Sequence, residues 1–232
     1  MEKTIQFEYK GYPATVIIPE NFNGQWIWKT EFLYAFDQAE RALLAEGYAR
    51  VYYGISDQYG SYRAVRRMHD FYRYVTEKFD LAKRCHLFGF SRGGLYAFNF
   101  ALSYSEYVAS VYLDAPVLDL KSWPPKSSPE ETQLFAEYSL MPETLKTFRD
   151  NPVDNLPEFF ALGLPLLVVA GGADDVVPFR ENAGLLLDYC QRESIPVKSV
   201  VKPECGHHPH SLENVTSIVN FVKEHSYATA HG

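Results

Sequence analysis

The run Cys85-His86-Leu87-Phe88-Gly89-Phe90 passes without a linker into Ser91-Arg92-Gly93-Gly94, and residues 95–102 follow, apolar on nearly every face. A short apolar run feeding directly into a longer one predicts a buried strand that turns sharply into a buried helix. A helix that is apolar all round has its place in the centre of a fold. Everything else in the chain must therefore be arranged around this strand–turn–helix unit.

The flanking segments are compatible with that centre. Residues 4–9 and 14–18 alternate or are β-rich around Gly11-Tyr12-Pro13, which predicts a hairpin, and 25–28 is a third short strand. Phe32, Phe36, Ala39 and Leu43 recur at helical spacing up to Gly47, predicting a helix over 32–46. Residues 48–55 read as a strand, and Ala64, Met68, Phe71, Val75 and Phe79 mark an amphipathic helix. Strands follow at 109–113, 165–170 and 196–201, with helices marked by Ala183, Leu186, Leu187 and Cys190, and by Leu212, Val215, Ile218, Val219 and Val222. The sum is an α/β chain with a mostly parallel central sheet, an antiparallel N-terminal hairpin and helices on both faces. Residues 1–232 are expected to form a single domain. Seven of the fourteen prolines fall in 116–157, which has no long periodic segment and is expected to be a cap-like insertion over one end of the sheet.

Charge and cysteine usage narrow the class. A net charge of −7 with scattered Lys and Arg argues against nucleic acid or an anionic membrane as the main partner. No apolar run approaches the length of a membrane helix, and the first residues carry no apolar signal core, so a cytoplasmic protein is expected, monomer or homodimer. Cys85, Cys190 and Cys205 form an odd set without a CxxC, which argues against a disulfide framework and a cysteine zinc site.

Sheets of this kind place chemistry in the loops after their strands. Gly89-Phe90-Ser91-Arg92-Gly93 is a GxSxG motif at a strand-to-helix junction, the setting in which a serine is thrust out of the sheet as a nucleophile. The Arg92 amide then faces the place where an oxyanion would form. A serine hydroxyl needs a base, and Gly206-His207-His208-Pro209-His210 stands between the last strand and the last helix. His207, directly after the glycine, is the expected base, with His208 and His210 as rivals. Three histidines in four residues also raise a metal site, but they contain no i, i+4 helical pair, so neither metal nor cofactor is expected. The imidazole needs an acid. Asp174, in Gly172-Ala173-Asp174-Asp175, is the expected one; Asp175, Asp114 and Asp119 are alternatives. A second oxyanion donor is expected from the loop after the third strand, from the amide of Trp28 or Lys29.

The order Ser91, Asp174, His207, each after its own strand, resembles the α/β-hydrolase superfamily over nearly the whole chain. A closer likeness is to bacterial esterase-like hydrolases associated with carbohydrate breakdown. It rests on Trp26-Ile27-Trp28, Glu31-Phe32, Phe90-Ser91-Arg92-Gly93-Gly94, Asp114-Ala115-Pro116, Lys121-Ser122-Trp123-Pro124 and His207-His208-Pro209-His210-Ser211-Leu212. The resemblance implies the α/β-hydrolase fold and a serine hydrolase that cleaves a small acyl ester, such as an O-acetylated sugar, through an acyl-enzyme. Trp26, Trp28 and Trp123 would line a sugar-stacking pocket or simply pack the core, with Lys29, Glu31, Asp119 and Lys121 supplying polar contacts or lying in solvent. Peptidase, thioesterase and acyltransferase chemistry use the same triad, and a silent binding protein can be built on the same fold.

Overall fold

The computed structural model describes residues 2–226. Eight strands form one sheet in the order β1-β2-β4-β3-β5-β6-β7-β8. They are β1 Lys3–Tyr9, β2 Tyr12–Ile18, β3 Trp26–Lys29, β4 Ala49–Tyr53, β5 Cys85–Phe90, β6 Val108–Asp114, β7 Leu166–Gly171 and β8 Lys198–Lys202. β1 and β2 form the hairpin and β2 meets β4 antiparallel; every later pairing is parallel. The helices are α1 Gln38–Ala45, α2 Tyr62–Phe79, α3 Gly93–Ser103, α4 Pro129–Tyr138, α5 Pro142–Leu145, α6 Leu156–Ala161, α7 Ala183–Arg192 and α8 Thr216–Glu224. Among the described residues no helix is long and apolar enough to cross a membrane.

The central strands look uniformly apolar in sequence because both of their faces are covered. Trp26, Trp28, Leu87, Val111, Leu113, Val168 and Ala170 pack with α2, α3 and α7. The alternate residues Ile27, Phe88, Phe90, Tyr112, Leu167 and Val169 pack with α1 and α8. The period of two along each strand thus sorts side chains between two helical layers. α3 starts directly after β5 and is buried on almost every side, as its composition requires.

Two boundaries depart from the sequence reading. Helix α1 begins at Gln38, not Phe32, because the chain from 32 to 37 is a series of turns in which Phe32 and Phe36 take φ of 54° and 49°. The i, i+4 spacing of these two aromatics mimicked a helix face, while in the fold they wall a pocket. The last helix begins at Thr216, so Leu212 and Val215 pack in the loop before it.

Between β6 and β7 the chain holds short helices and turns. Val117, Leu120, Trp123 and Leu134 from this stretch pack with Tyr59, Leu95 and Val177. It is pinned by polar contacts, including Tyr138 Oη to the Tyr59 carbonyl (2.9 Å) and the Leu118 and Asp119 amides to Asn182 Oδ1 (2.8 and 3.0 Å).

A charged cluster lies beneath the sheet's working end. Lys29 Nζ donates to Glu40 Oε1 at 2.5 Å, with both side chains fully buried. Arg50 joins through Asp37 at 2.9 Å and stands 4.0 Å from Glu40. Burial lowers the Lys29 ammonium from its ordinary range, opposed by the Glu40 carboxylate. Breaking a buried pair from one side strands the other charge, whereas replacing both partners is close to neutral. Lys29→Met should therefore cost about 3 kcal/mol and lower Tm by roughly 6–12 °C in thermal unfolding, and adding Glu40→Leu should restore at least half of that loss.

Candidate active site

Ser91 follows the last residue of β5 and has φ of 50°, a left-handed conformation that a non-glycine residue keeps only when its surroundings impose it. The surroundings are visible. The Ser91 amide donates to the Asp114 carbonyl at 2.9 Å, and the Ser91 carbonyl accepts from the Gly94 and Val117 amides, both at 2.9 Å. A side chain at Gly94 would meet Pro116 Cβ at 2.5 Å, so glycine there lets α3 start tight against the loop that follows β6. Arg92 stands at the N-cap of α3, and its amide shares the positive end of that helix beside the Ser91 hydroxyl.

The histidine loop and the acid loop meet at the same rim. His207 Nε2 lies 2.9 Å from Ser91 Oγ, and His207 Nδ1 lies 2.7 Å from Asp174 Oδ2. The other oxygen of Asp174 accepts the amides of Val176 and Val177 at 3.0 and 2.9 Å, which fixes the carboxylate's orientation. All three residues are nearly buried, at 9% exposure for Ser91, 7% for Asp174 and 8% for His207. Contact between the loops depends on Gly171 at the end of β7, where a Cβ would lie 2.1 Å from the Gly206 carbonyl oxygen and 2.4 Å from that of Cys205. Asp175, the neighbouring carboxylate, is exposed and takes no part in these contacts.

A second carboxylate–imidazole pair stands alongside. His210 Nδ1 is 2.8 Å from Asp114 Oδ1, and Asp114 Oδ2 accepts the Ser211 amide at 2.8 Å and the Tyr112 hydroxyl. Asp114 and His210, alternatives for acid and base in the sequence, are thus partners of each other. The rings of His207, His208 and His210 form a near-equilateral triangle, with centroids 4.8 to 5.0 Å apart. The spacing in sequence offered no helical pair for a metal, yet the loop gathers three imidazoles all the same. His208 is exposed and stacks on Phe36 at 5.5 Å. Desolvation, then the neighbouring His210 and His207, hold its imidazole below the ordinary value.

A pocket of about 180 Å³ opens on Ser91, walled by Phe32, Ala35, Phe36, Phe90 and the three histidines. None of the side chains expected at the substrate, Trp26, Trp28, Lys29, Glu31, Asp119, Lys121 and Trp123, lines it. Trp26 is fully buried in the core with Nε1 on the Ala82 carbonyl at 2.8 Å. Lys29 is sealed under the Phe90 ring, 3.1 Å from its centroid, and paired with Glu40. Trp123 packs under the β6–β7 segment beside Tyr59. Glu31 is buried behind the nucleophile, bonded by Ser56 Oγ at 2.9 Å and 3.6 Å from the Arg92 guanidinium. Burial raises the Glu31 carboxyl above its ordinary range, and Arg92 opposes the rise. Asp119 spends its carboxylate on the Lys121 amide.

Trp28 also needs correction as an oxyanion donor. Trp28 and Lys29 both lie inside β3, which is paired with β4 on one edge and β5 on the other. The Thr30 amide still bonds the Phe88 carbonyl at 3.1 Å, so a donor from this loop must come from Glu31 or beyond. The aromatic walls Phe32 and Phe36 escaped the sequence reading because their spacing fits a helix face. The signal that could have exposed them is Asp37-Gln38-Ala39-Glu40, an N-cap residue type followed three residues later by Glu, which starts the helix after Phe36.

Comparison with known proteins gives this arrangement a family. Over residues 50–229 the chain matches the prolyl oligopeptidase family. Among solved structures, the substrate-bound fluorophosphonate-binding serine hydrolase F (FphF) of Staphylococcus aureus superposes with a TM-score of 0.68 at 15% identity, covering 97% of this chain and 96% of that one. The dipeptidyl peptidase 4 of Porphyromonas gingivalis superposes with a TM-score of 0.67 at 14% identity, covering 96% of this chain; the chain spans only 34% of that enzyme's length. No curated protein matches the chain in sequence. At such identities the solved structures speak for the fold, and the family match supplies the chemistry. The chain belongs to the prolyl oligopeptidase family and is a serine hydrolase of the α/β-hydrolase fold.

Proposed function

We propose that the protein is an esterase that removes small acyl groups from alcohols, with an O-acetylated sugar as the kind of substrate it serves. The observation that carries this reading is the pocket: about 180 Å³, apolar on its Phe32, Ala35, Phe36 and Phe90 walls, and opening directly on Ser91 and His207. A space of that size takes an acetyl or similarly short acyl chain.

The residues would divide the work as follows. His207 Nε2 accepts the Ser91 proton as Oγ attacks the acyl carbonyl, forming a tetrahedral oxyanion. The Arg92 amide at the head of α3 donates to that oxyanion. His207 passes its proton to the leaving alcohol oxygen, the C–O bond breaks, and an acyl-enzyme on Ser91 remains. Water then enters, gives its proton to His207 and attacks the acyl carbon. Collapse of the second tetrahedral species returns the proton to Ser91 Oγ and releases the carboxylic acid. Throughout, Asp174 holds the Nδ1–H so that Nε2 faces the serine, and it steadies the imidazolium when it forms.

A peptidase reading has one observation in its favour, the family to which the chain belongs. The two readings separate on substrates. p-Nitrophenyl acetate should be cleaved at least about tenfold faster, by kcat/KM, than p-nitrophenyl octanoate, and glycyl-prolyl-p-nitroanilide should be cleaved slowly or not at all. Preference for octanoate removes the small-acyl assignment, and efficient release of nitroaniline establishes the peptidase instead.

The assignment of roles is tested by substitution. Ser91→Ala should lower kcat by a factor on the order of 10⁴–10⁶ with an unchanged far-UV spectrum. Asp174→Asn should lower it by a factor on the order of 10⁴, because the amide presents His207 in the wrong tautomer. His207→Ala should fall with Ser91→Ala, while His208→Ala should lose far less; the opposite ranking would move the base one residue along.

A further inference from the structure

We propose that His207, His208 and His210 form a transition-metal site of Zn²⁺ type whose occupation reversibly blocks hydrolysis. One nitrogen from each residue lies within 4.8 Å of the others, and the three ring centroids are 4.8 to 5.0 Å apart. Tetrahedral zinc with Zn–N distances of about 2.0–2.1 Å needs nitrogens about 3.3 Å apart. At the widest separation the nitrogens must approach by about 1.5 Å; His208, exposed and held mainly by a stack on Phe36, swings in most easily, and the His207 and His210 rings must shift with it.

Two of the three imidazoles already carry the outer shell that metal-binding histidines use. Asp174 holds Nδ1 of His207 and Asp114 holds Nδ1 of His210, which leaves the Nε2 atoms as the ligating ones. A carboxylate behind each ligand fixes the tautomer and raises the basicity of the free nitrogen. Imidazole is a borderline ligand suited to zinc, copper and nickel rather than to magnesium or calcium.

The consequence for activity is direct. His207 Nε2 is 2.9 Å from Ser91 Oγ and accepts the serine's proton. An ion bound to that nitrogen occupies the same lone pair, so Ser91 keeps its hydrogen and stays a poor nucleophile. No bond is broken; removing the ion restores the base.

Binding is tested apart from turnover. Zinc chloride titrated calorimetrically into the full-length Ser91→Ala protein, which keeps all three histidines, should bind one ion per chain with Kd below about 100 μM. Loss of an outer-shell partner costs about 10–100-fold in metal affinity, and loss of a ligand costs at least as much. Adding His208→Ala should therefore raise Kd by about tenfold or more, and His208 is exposed enough that the change should leave the fold intact. In the unmutated protein, saturating zinc should slow fluorophosphonate labelling of Ser91, and excess EDTA should restore it. Absence of binding, an unchanged Kd in the His208→Ala protein, or labelling indifferent to saturating zinc each overturns the proposal. Failure of the probe to label even metal-free protein counts against the esterase reading, and calorimetry still decides the metal site.

Discussion

Asp114 ties together the two loops on which the chemistry depends. Its carbonyl receives the Ser91 amide, which holds the nucleophile in its left-handed turn. Its carboxylate receives His210 and the Ser211 amide, which holds the histidine loop against the end of β6. One residue at a strand tip thus sets the distance between nucleophile and base from both sides. It is almost fully buried, at 1% exposure, so its bonds act at low dielectric, where a satisfied polar network is rigid and an unsatisfied one is costly. The Gly171 contact plays the matching part for the acid, allowing the backbone of the Asp174 loop to touch that of the His207 loop. The triad geometry is therefore a backbone property before it is a side-chain property.

The sheet explains why these contacts coincide. β5, β6 and β7 are parallel neighbours, and Phe90, Asp114 and Gly171 end them at one rim. Each tip is fixed by ladder hydrogen bonds on its flanks and by helices on both faces, so the loops leave from rigid positions. The buried Lys29–Glu40 pair and Arg50 sit under this rim. A charged cluster in that place costs desolvation, and apolar residues would fill the space as well or better for stability alone.

How much of this was legible in the sequence follows the same division. The strands, the buried α3 and the loop positions of Ser91, Asp174 and His207 were readable because they are local: a period of two, an apolar run, a glycine beside a reactive residue. The pocket walls were not. Phe32 and Phe36 satisfied a helical spacing, and only tertiary contact with Phe90 and the histidines reveals that the chain turns there instead. Trp26, Lys29, Glu31 and Trp123 failed for a related reason. Large aromatics and charges near a motif look like substrate contacts, but the short central strand β3 buries Trp26 and Lys29 on its two faces, Lys29 found a partner in Glu40, eleven residues away, and Glu31 and Trp123 are buried in the segments that follow β3 and β6. The pairing of Asp114 with His210 joins residues ninety-six apart, and nothing local announces it.

Backbone conformation around the site shows where the fold accepts strain for the sake of chemistry. Phe32, Phe36, Ser91, Ala115 and Ser211 all have positive φ, between 40° and 66°, and all lie in loops at the rim that bears the triad. Each such residue costs on the order of 1–3 kcal/mol where glycine would be free of strain. A fold that needed only to be stable would place glycine at these positions. Three of the side chains kept there have a visible use. Ser91 presents the hydroxyl, and Phe32 and Phe36 wall the pocket. Ser211 follows the histidines at the point where its amide meets Asp114. The strain is carried by the doubly covered sheet behind the rim, whose buried strands and helices are extensive enough to offset it. Two of the pocket's walls, Phe32 and Phe36, accordingly stand in the stretch of residues 32–37, outside the strand tips that align the triad.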